Sequence, residues 1–486
     1  MSSSQTNSIP AFWRKIVSGM IIGATTIAQI SLPRTAANAQ TGAYCRATPD
    51  AIAQKEILRQ RATNGDGGAK VEYQAFIKAQ GDRLAQCRNQ NWPKTQAIWL
   101  RLHPCDARPG ELDKVLDHIV NKGYNEVYVE VFYDSRVLLP AADNPTPWIS
   151  VVQSRGAENV DLLADAIQKG RQRGLKVYAW MFTMNFGYAY GVRSDRQQTL
   201  ARNGRGQDST AIVPDGSQVF IDPYNRQAQS DYYQLLQSVL KRRPDGVLFD
   251  YIRYPRGSGA GSVASNVRDL WVYGQASQQV LLERAENNQG RELIQRFLNQ
   301  GRITAGDISA VRSLYPSEGS PQWQNKRSDN LPAELWSLSV AHAAQGVLEF
   351  LKFSTNNVMQ QRLPAGAVFF PSANKPVGNG GFDSRLQPWD SFSPALEWHA
   401  MAYSICGSSA DCIVEEIRRV LNSAEAQTRV VPALAGVWGG TFQSHISLEA
   451  QMQAIRQQLP QLQAVSHFAY SWQERESDRA RQFCQL

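Results

Sequence analysis

The signatures that most often betray a metal or nucleotide site are missing from this sequence. Its six cysteines form no Cys-x-x-Cys, and its six histidines form neither His-Glu-x-x-His nor zinc-finger spacing. Thiolate-held zinc and metalloprotease chemistry are therefore not expected, and no metal site is assigned. There is no P-loop and no Gly-x-Ser-x-Gly elbow, and no Gly-x-Gly-x-x-Gly follows the first strand-like run. These absences argue against nucleotide enzymes, elbow-type serine hydrolases and dinucleotide binding, so no cofactor is expected. The formal charge is +8, but the basic residues are scattered and no stripe marks a nucleic-acid partner. Beyond the N-terminus no run approaches the ~20 apolar residues of a membrane span.

The N-terminus reads as a targeting segment. Arg14 and Lys15 precede an apolar stretch from Ile16 to Leu32, broken by Ser18, Gly19, Thr25, Thr26, Gln29 and Ser31. Ala37-Asn38-Ala39 then supplies the small-x-small pattern of a signal-peptidase site. Residues 1–39 are expected to be a signal peptide, with Gln40 starting an exported, periplasmic or extracellular protein that keeps no stable membrane insertion. Export makes disulfides the expected state of Cys45, Cys87, Cys105, Cys406, Cys412 and Cys484. Fifteen connectivities are possible, and position favours three pairs. Cys45 and Cys87 bracket two helical runs, 47–62 and 70–86, joined by Asn64-Gly65-Asp66-Gly67-Gly68. Cys406 and Cys412 close a small loop, which leaves Cys105 for Cys484.

After a helical hairpin at 40–93, strand and helix alternate. Apolar runs at 97–102, 125–133, 175–182, 246–250, 366–371, 396–404, 429–438 and 465–472 read as strands. Amphipathic stretches at 111–122, 159–173, 224–242, 333–353, 411–422 and 446–458 read as helices between them. Eight alternations favour an α/β fold of the closed (β/α)8 TIM barrel type over 94–486. Two connections exceed what a barrel needs. Residues 183–218 are rich in Gly, Asn, Asp, Ser and Arg, and 256–332, the long insertion after the fourth strand, opens on Gly257-Ser258-Gly259-Ala260-Gly261. Long barrel insertions are commonly lids or binding loops on the active face, and a decorative subdomain is the alternative.

The run Asp245-Gly246-Val247-Leu248-Phe249-Asp250 is a strand apolar on both faces that ends on a carboxylate. Barrel enzymes keep catalytic groups at that end of a strand. The plainer reading is a loop-capping Asp250 that pairs with Arg253.

Taken together, Val219-Phe220-Ile221-Asp222-Pro223-Tyr224-Asn225 and Asp245 through Tyr254-Pro255 resemble the hallmark block of glycoside-hydrolase-like family 10. They are also similar to the related family 13 of secreted TIM-barrel glycosidases. Val177-Tyr178-Ala179-Trp180 resembles the third-strand motif and Asn125-Glu126-Val127-Tyr128-Val129-Glu130 the second. The resemblance implies a secreted barrel hydrolase acting on polysaccharide, with a bacterial cell-wall (peptidoglycan) glycan strand the leading partner class. The chain departs from the family where the second strand usually ends in Gln and Arg followed by a Gly-Asp pair. Here Glu130, Phe132 and Ser135-Arg136 stand instead.

Glycoside hydrolysis by the common route needs two carboxyls facing each other across the scissile bond. Asp250 is the expected nucleophile or stabilising carboxylate, its ionised form favoured by Arg253. Glu130 is the candidate acid, because Glu126, Tyr128 and Glu130 share one face of their strand and Glu130 lies nearest its C-terminal end. The bland alternative for Glu130 is a buried ion-pair partner, and Asp134, Asp383 and Glu397 are the other candidates. Asp222 before Pro223 reads as a helix N-cap, with a substrate contact as the sharper option. Trp180, Trp438 and Trp472 at strand ends, with Tyr403, are candidate platforms for the apolar faces of sugar rings, or else core. His103 and His399 read as structural groups. A non-catalytic glycan-binding or envelope scaffold protein on the same barrel is the rival expectation.

Overall fold

The computed structural model describes residues 44–213 and 216–484. The signal-peptide reading of 1–39 and the first residues of the hairpin lie outside them. The eight expected strands are all present: β1 (Thr95–Leu100), β2 (Glu126–Tyr133), β3 (Lys176–Phe182), β4 (Gly246–Asp250), β5 (Ala365–Phe369), β6 (Glu397–Ala400), β7 (Ala433–Ala435) and β8 (Ala464–Phe468). They pair in parallel in the order β6-β5-β4-β3-β2-β1-β8-β7. Parallel bridges Trp398↔Val430 and Met401↔Ala433 join the two ends of that order, so the sheet closes on itself. The protein is an α/β TIM barrel.

Closure follows from the strand pattern. Residues 126–133 are buried throughout because Glu126, Tyr128 and Glu130 face the barrel interior while Val127, Val129 and Val131 pack under the outer helices, and a register shift after Glu130 turns Phe132 outward against Tyr232. Inside, Trp99, Tyr128, Tyr178 and Trp180 meet edge to face, with ring centroids 4.8–5.5 Å apart. Packing at that density leaves no room at β4, where a Cβ on Gly246 would stand 2.2 Å from the Tyr178 ring.

The N-terminal hairpin pairs α1 (Pro49–Thr63), capped by Thr48, with α2 (Gly67–Gln90), capped by Asp66. It is fastened to the barrel helices α3 (Glu111–Asn121) and α4 (Leu162–Gln172) by buried charge. Lys55 Nζ donates to Gln80 Oε1 at 2.6 Å and Asn121 Oδ1 at 2.7 Å. Arg173 binds Asp117 and Asp113, and donates to the Tyr73 hydroxyl. The cysteines stand in the three expected pairs, Cys45–Cys87, Cys105–Cys484 and Cys406–Cys412.

Helix α5 (Arg226–Leu240) follows the first long connection. The second carries α6 (Gln275–Glu283), α7 (Asn288–Gln300) and α8 (Ala305–Leu314), then joins the barrel helix α9 (Leu331–Met359). The two long connections are bonded to each other through their backbones, Gly204 N to Arg268 O at 2.9 Å and Tyr273 N to Arg202 O at 3.0 Å. The barrel is completed by α10 (Ala410–Ser423) and α11 (Leu448–Gln458), and the chain ends with α12 (Arg475–Gln482). Among the described residues no helix is long and apolar enough to cross a membrane.

Candidate active site

The period of two that puts Tyr128 inside the barrel also puts Glu130 there, one turn of the pleat nearer the C-terminal end. The same period on β1 takes Trp99 to Arg101. The Arg101 Nε–H therefore meets Glu130 Oε2 across the neighbouring strand in a short ion pair. Glu130 is almost wholly buried, and its second oxygen, Oε1, has no hydrogen-bond partner. Burial pushes its carboxyl up to about 7, against the pull of Arg101 and with added repulsion from Asp134 and Asp250.

Asp250 ends β4 as expected. It is not open to the mouth: the residue is only 7% exposed. One oxygen accepts from the Tyr251 N–H at 2.6 Å and the other from Trp180 Nε1 at 3.1 Å. Burial raises its carboxyl to about 6, while the Tyr251 N–H, the Arg253 charge and Trp180 oppose the rise. Tyr251 adopts a left-handed backbone conformation, φ 52°, which sets the chain turning sharply just past the carboxylate. Its phenol is pushed up to about 12 by burial and lies in the field of both Asp250 and Glu130.

Several expected roles are redistributed. Arg253 makes no salt bridge to Asp250. Its guanidinium lies 4.5 Å over Tyr251 and 5.6 Å over both Phe220 and Phe370, so it acts on Asp250 only through its charge. Asp222 is not the cap of α5, which starts later with Asn225 as its N-cap. Instead the Asp222 carboxylate accepts from Ser277 N at 2.9 Å and Tyr224 N at 3.0 Å. It thereby caps α6, the first helix of the insertion, where Gly274 has no side chain to offer. Trp180 is 7% exposed and serves Asp250 as a hydrogen-bond donor, with Trp99 against its edge.

Trp438 lies away from the mouth. Its Nε1 donates to Tyr124, and Arg46 lies 4.2 Å over its ring, so the segment before the hairpin occupies it. Tyr403 and Trp472, which follow β6 and β8, pack against Phe468 at centroid distances of 5.8 Å each. The Tyr403 phenol is raised by burial and by the nearby Asp250.

The remaining acids are accounted for. Asp383 is held by Arg385 through two short bonds. Asp134 sits on the exposed turn after β2. Glu397 lies at the opposite end of the barrel, where Arg429 bridges it to Glu126. Burial there is outweighed by His399 and Arg429, which hold Glu397 at about 2. His399 is thus part of the barrel floor, and His103 faces Asp478 at the chain's end. Among the described residues no group of three or more His, Cys, Asp or Glu is arranged to hold a metal ion.

Residues 84–339 match the family described as glycosyl hydrolase-like 10, more than half of the chain. The chain belongs to that family. Both members of the Asp250–Glu130 pair lie inside the matched span. No curated protein matches the chain in sequence. Among solved structures it is similar to a β-galactosidase from Marinomonas ef1, at 10% identity and TM-score 0.44. That match covers 77% of this chain and 54% of the galactosidase, so this chain spans about half of it. It is also similar to a GH18 chitinase from Pseudoalteromonas aurantia, at 10% identity and TM-score 0.37, with 79% and 98% of the two chains covered. A hypothetical protein from Ruminiclostridium thermocellum ATCC 27405 matches 32% of this chain and 77% of its own at 15% identity and TM-score 0.25.

Sequence reasoning missed Arg101, Tyr251 and Phe468. The period of two from Trp99 was the available signal for Arg101. Nothing in the sequence marks the positive φ at Tyr251, because a non-glycine residue gives no warning of it.

Proposed function

We propose that this protein is an exported glycoside hydrolase that cleaves O-glycosidic bonds in a polysaccharide, with cell-wall glycan the leading substrate class. In this reading Glu130 is the general acid and Asp250 the nucleophile or stabilising carboxylate. Tyr403 and Trp472 contact the sugar, while Trp180, Arg253 and Asp222 set the geometry around it. The observation that carries the proposal is the pair itself. Two carboxyls at one end of a family barrel are both lifted by burial, Asp250 to about 6 and Glu130 to about 7. Where two acids in one site ionise at different pH, the higher supplies a proton and the lower a charge. The tight cover over Asp250 favours a second reading, a glycan-binding scaffold protein without turnover, although catalytic geometry often completes only when substrate binds.

Activity on a panel of polysaccharides and purified peptidoglycan separates the two. Asp250→Asn keeps the shape of the side chain and removes its charge. Turnover should fall by several orders of magnitude while circular dichroism still reports a folded barrel. A folded variant with undiminished turnover removes Asp250 from the chemistry, and a wild type that binds but never cleaves favours the scaffold.

A further inference from the structure

A cavity of about 320 Å³ lies between the insertion and one face of α9, where Glu334, Leu338, His342 and Gln345 line it at helical spacing. Neither carboxyl of the Asp250–Glu130 pair lines it. Its positive charge comes from Arg284, the C-cap of α6, and Arg327, shortly before α9. Arg284 is fixed by neutral acceptors. Its Nε–H donates to His342 Nδ1 at 3.0 Å and its Nη1 to Gln324 Oε1 at 3.2 Å, while Nη2 reaches the Tyr224 hydroxyl at 3.5 Å. An arginine cannot accept, so His342 Nδ1 is bare and the ring proton sits on Nε2, facing Ser277 O at 3.0 Å. Burial and the Arg284 charge push His342 down to about 3, which keeps it neutral. The Tyr224 ring covers it, 4.5 Å away with the planes 3° apart. The segment opposite α9 is tied on through the backbone, Gln324 N to Arg284 O at 2.9 Å.

The cavity wall is thus braced, and its charge is not spent inside the protein. Among the described residues neither guanidinium makes a salt bridge, and Arg327 gives Glu334 Oε2 its backbone N–H, at 3.1 Å. Glu334 Oε1 accepts from the Ser328 hydroxyl at 2.8 Å. Two arginines against one glutamate leave one positive charge, which fits a singly charged oxyanion. Three of the five Arg284 N–H groups are engaged. Each terminal nitrogen therefore keeps one free, and such a fork grips a planar carboxylate. Glu334 retains lone pairs for a hydroxyl, and Leu338 adds an apolar wall. We propose that this cavity binds the carboxylate of a small hydroxy acid, held by Arg284 and Arg327 and oriented by Glu334. The acid is either free or part of a sugar, as in a uronate. The site is independent of the Asp250–Glu130 pair, and a ligand in it fastens the insertion to α9.

Titration calorimetry on the full-length folded protein at fixed ionic strength tests this. The probes are lactate, glucuronate, glucose and inorganic phosphate. Lactate or glucuronate should saturate a single site and raise the melting midpoint. The tighter of the two identifies the source, free acid or sugar acid. Arg284→Gln and Arg327→Gln should each weaken that binding by about tenfold, the effect of losing one hydrogen bond to a charged group. Arg327 is exposed, so its variant should fold whatever Arg284 contributes to packing. Arg284→Lys keeps the charge without the fork and should fall between wild type and Arg284→Gln. Arg312→Gln, exposed on α8 outside the cavity, should change nothing. Saturation by neither acid, or affinity unchanged in the folded glutamine variants, overturns the site. Glucose bound as tightly as glucuronate, or phosphate bound more tightly than both acids, overturns the carboxylate.

Discussion

Burial works against the charge on Glu130 harder than Arg101 works for it, and that imbalance has a measurable sign. In an unfolded chain a glutamate ionises near 4.3; in this fold it ionises at about 7. Between those values the folded protein holds a proton that the unfolded chain has released. The carboxyl's contribution to stability is therefore full below about pH 4 and is lost as pH rises through about 7. Glu130→Gln does not titrate, and its amide NH2 can occupy the side where Oε1 has no partner. At pH 8 the variant should be more stable than wild type by on the order of 1–3 kcal/mol, at ~1.4 kcal/mol per pKa unit. The gain should vanish near pH 4. Thermal melts at the two pH values check this, and a Gln variant less stable at both would make the Arg101 pair a structural ion pair.

At the scale of elements, one buried carboxylate joins the first helix of the insertion to the connection before α5. Asp222 receives the Ser277 N–H from the first turn of α6 across the connection and the Tyr224 N–H from its own turn, and without it the buried Ser277 donor would be left unpaired. Asp222→Ala should cost about 1–3 kcal/mol and speed protease cleavage within residues 256–330. Unchanged melting and cleavage would show that the backbone bonds between the two long connections hold the insertion by themselves. How much of this was legible in the sequence depends on the reach of each signal. The eight strands and their helices were readable because apolar periodicity is local. So was the inward face of Glu126, Tyr128 and Glu130. The true partner of Asp222 lies 55 residues away, and Pro223 beside it mimicked a local cap. Trp438 had the right position at a strand end, but the segment carrying Tyr44 and Arg46 takes its face.

Across the whole molecule, the first and last parts of the barrel are tied twice. Cys484 follows α12 and joins Cys105 after β1, a separation of 379 residues. Beside it Arg481 binds the buried Asp106 and Asp478. Replacing Cys105 and Cys484 by Ser should cost about 2–5 kcal/mol, the range for losing a native bridge that closes a long loop. Calorimetry should find that loss alongside an unchanged secondary structure, since the ion pairs still hold the helix. No shift in midpoint would mean that the ion pairs alone hold α12 against the segment after β1.

The central claim is that Glu130 gives the proton and Asp250 bears the charge. It is tested most directly by the pH dependence of kcat/KM on whichever glycan the wild type cleaves, measured for wild type and Glu130→Gln. The pair requires Asp250 ionised and Glu130 protonated, so the wild-type profile should be a narrow bell with limbs near pH 6 and 7. Glu130→Gln should lower the rate and lose the basic limb while keeping the acidic one. A basic limb that persists unchanged in Glu130→Gln would contradict the account.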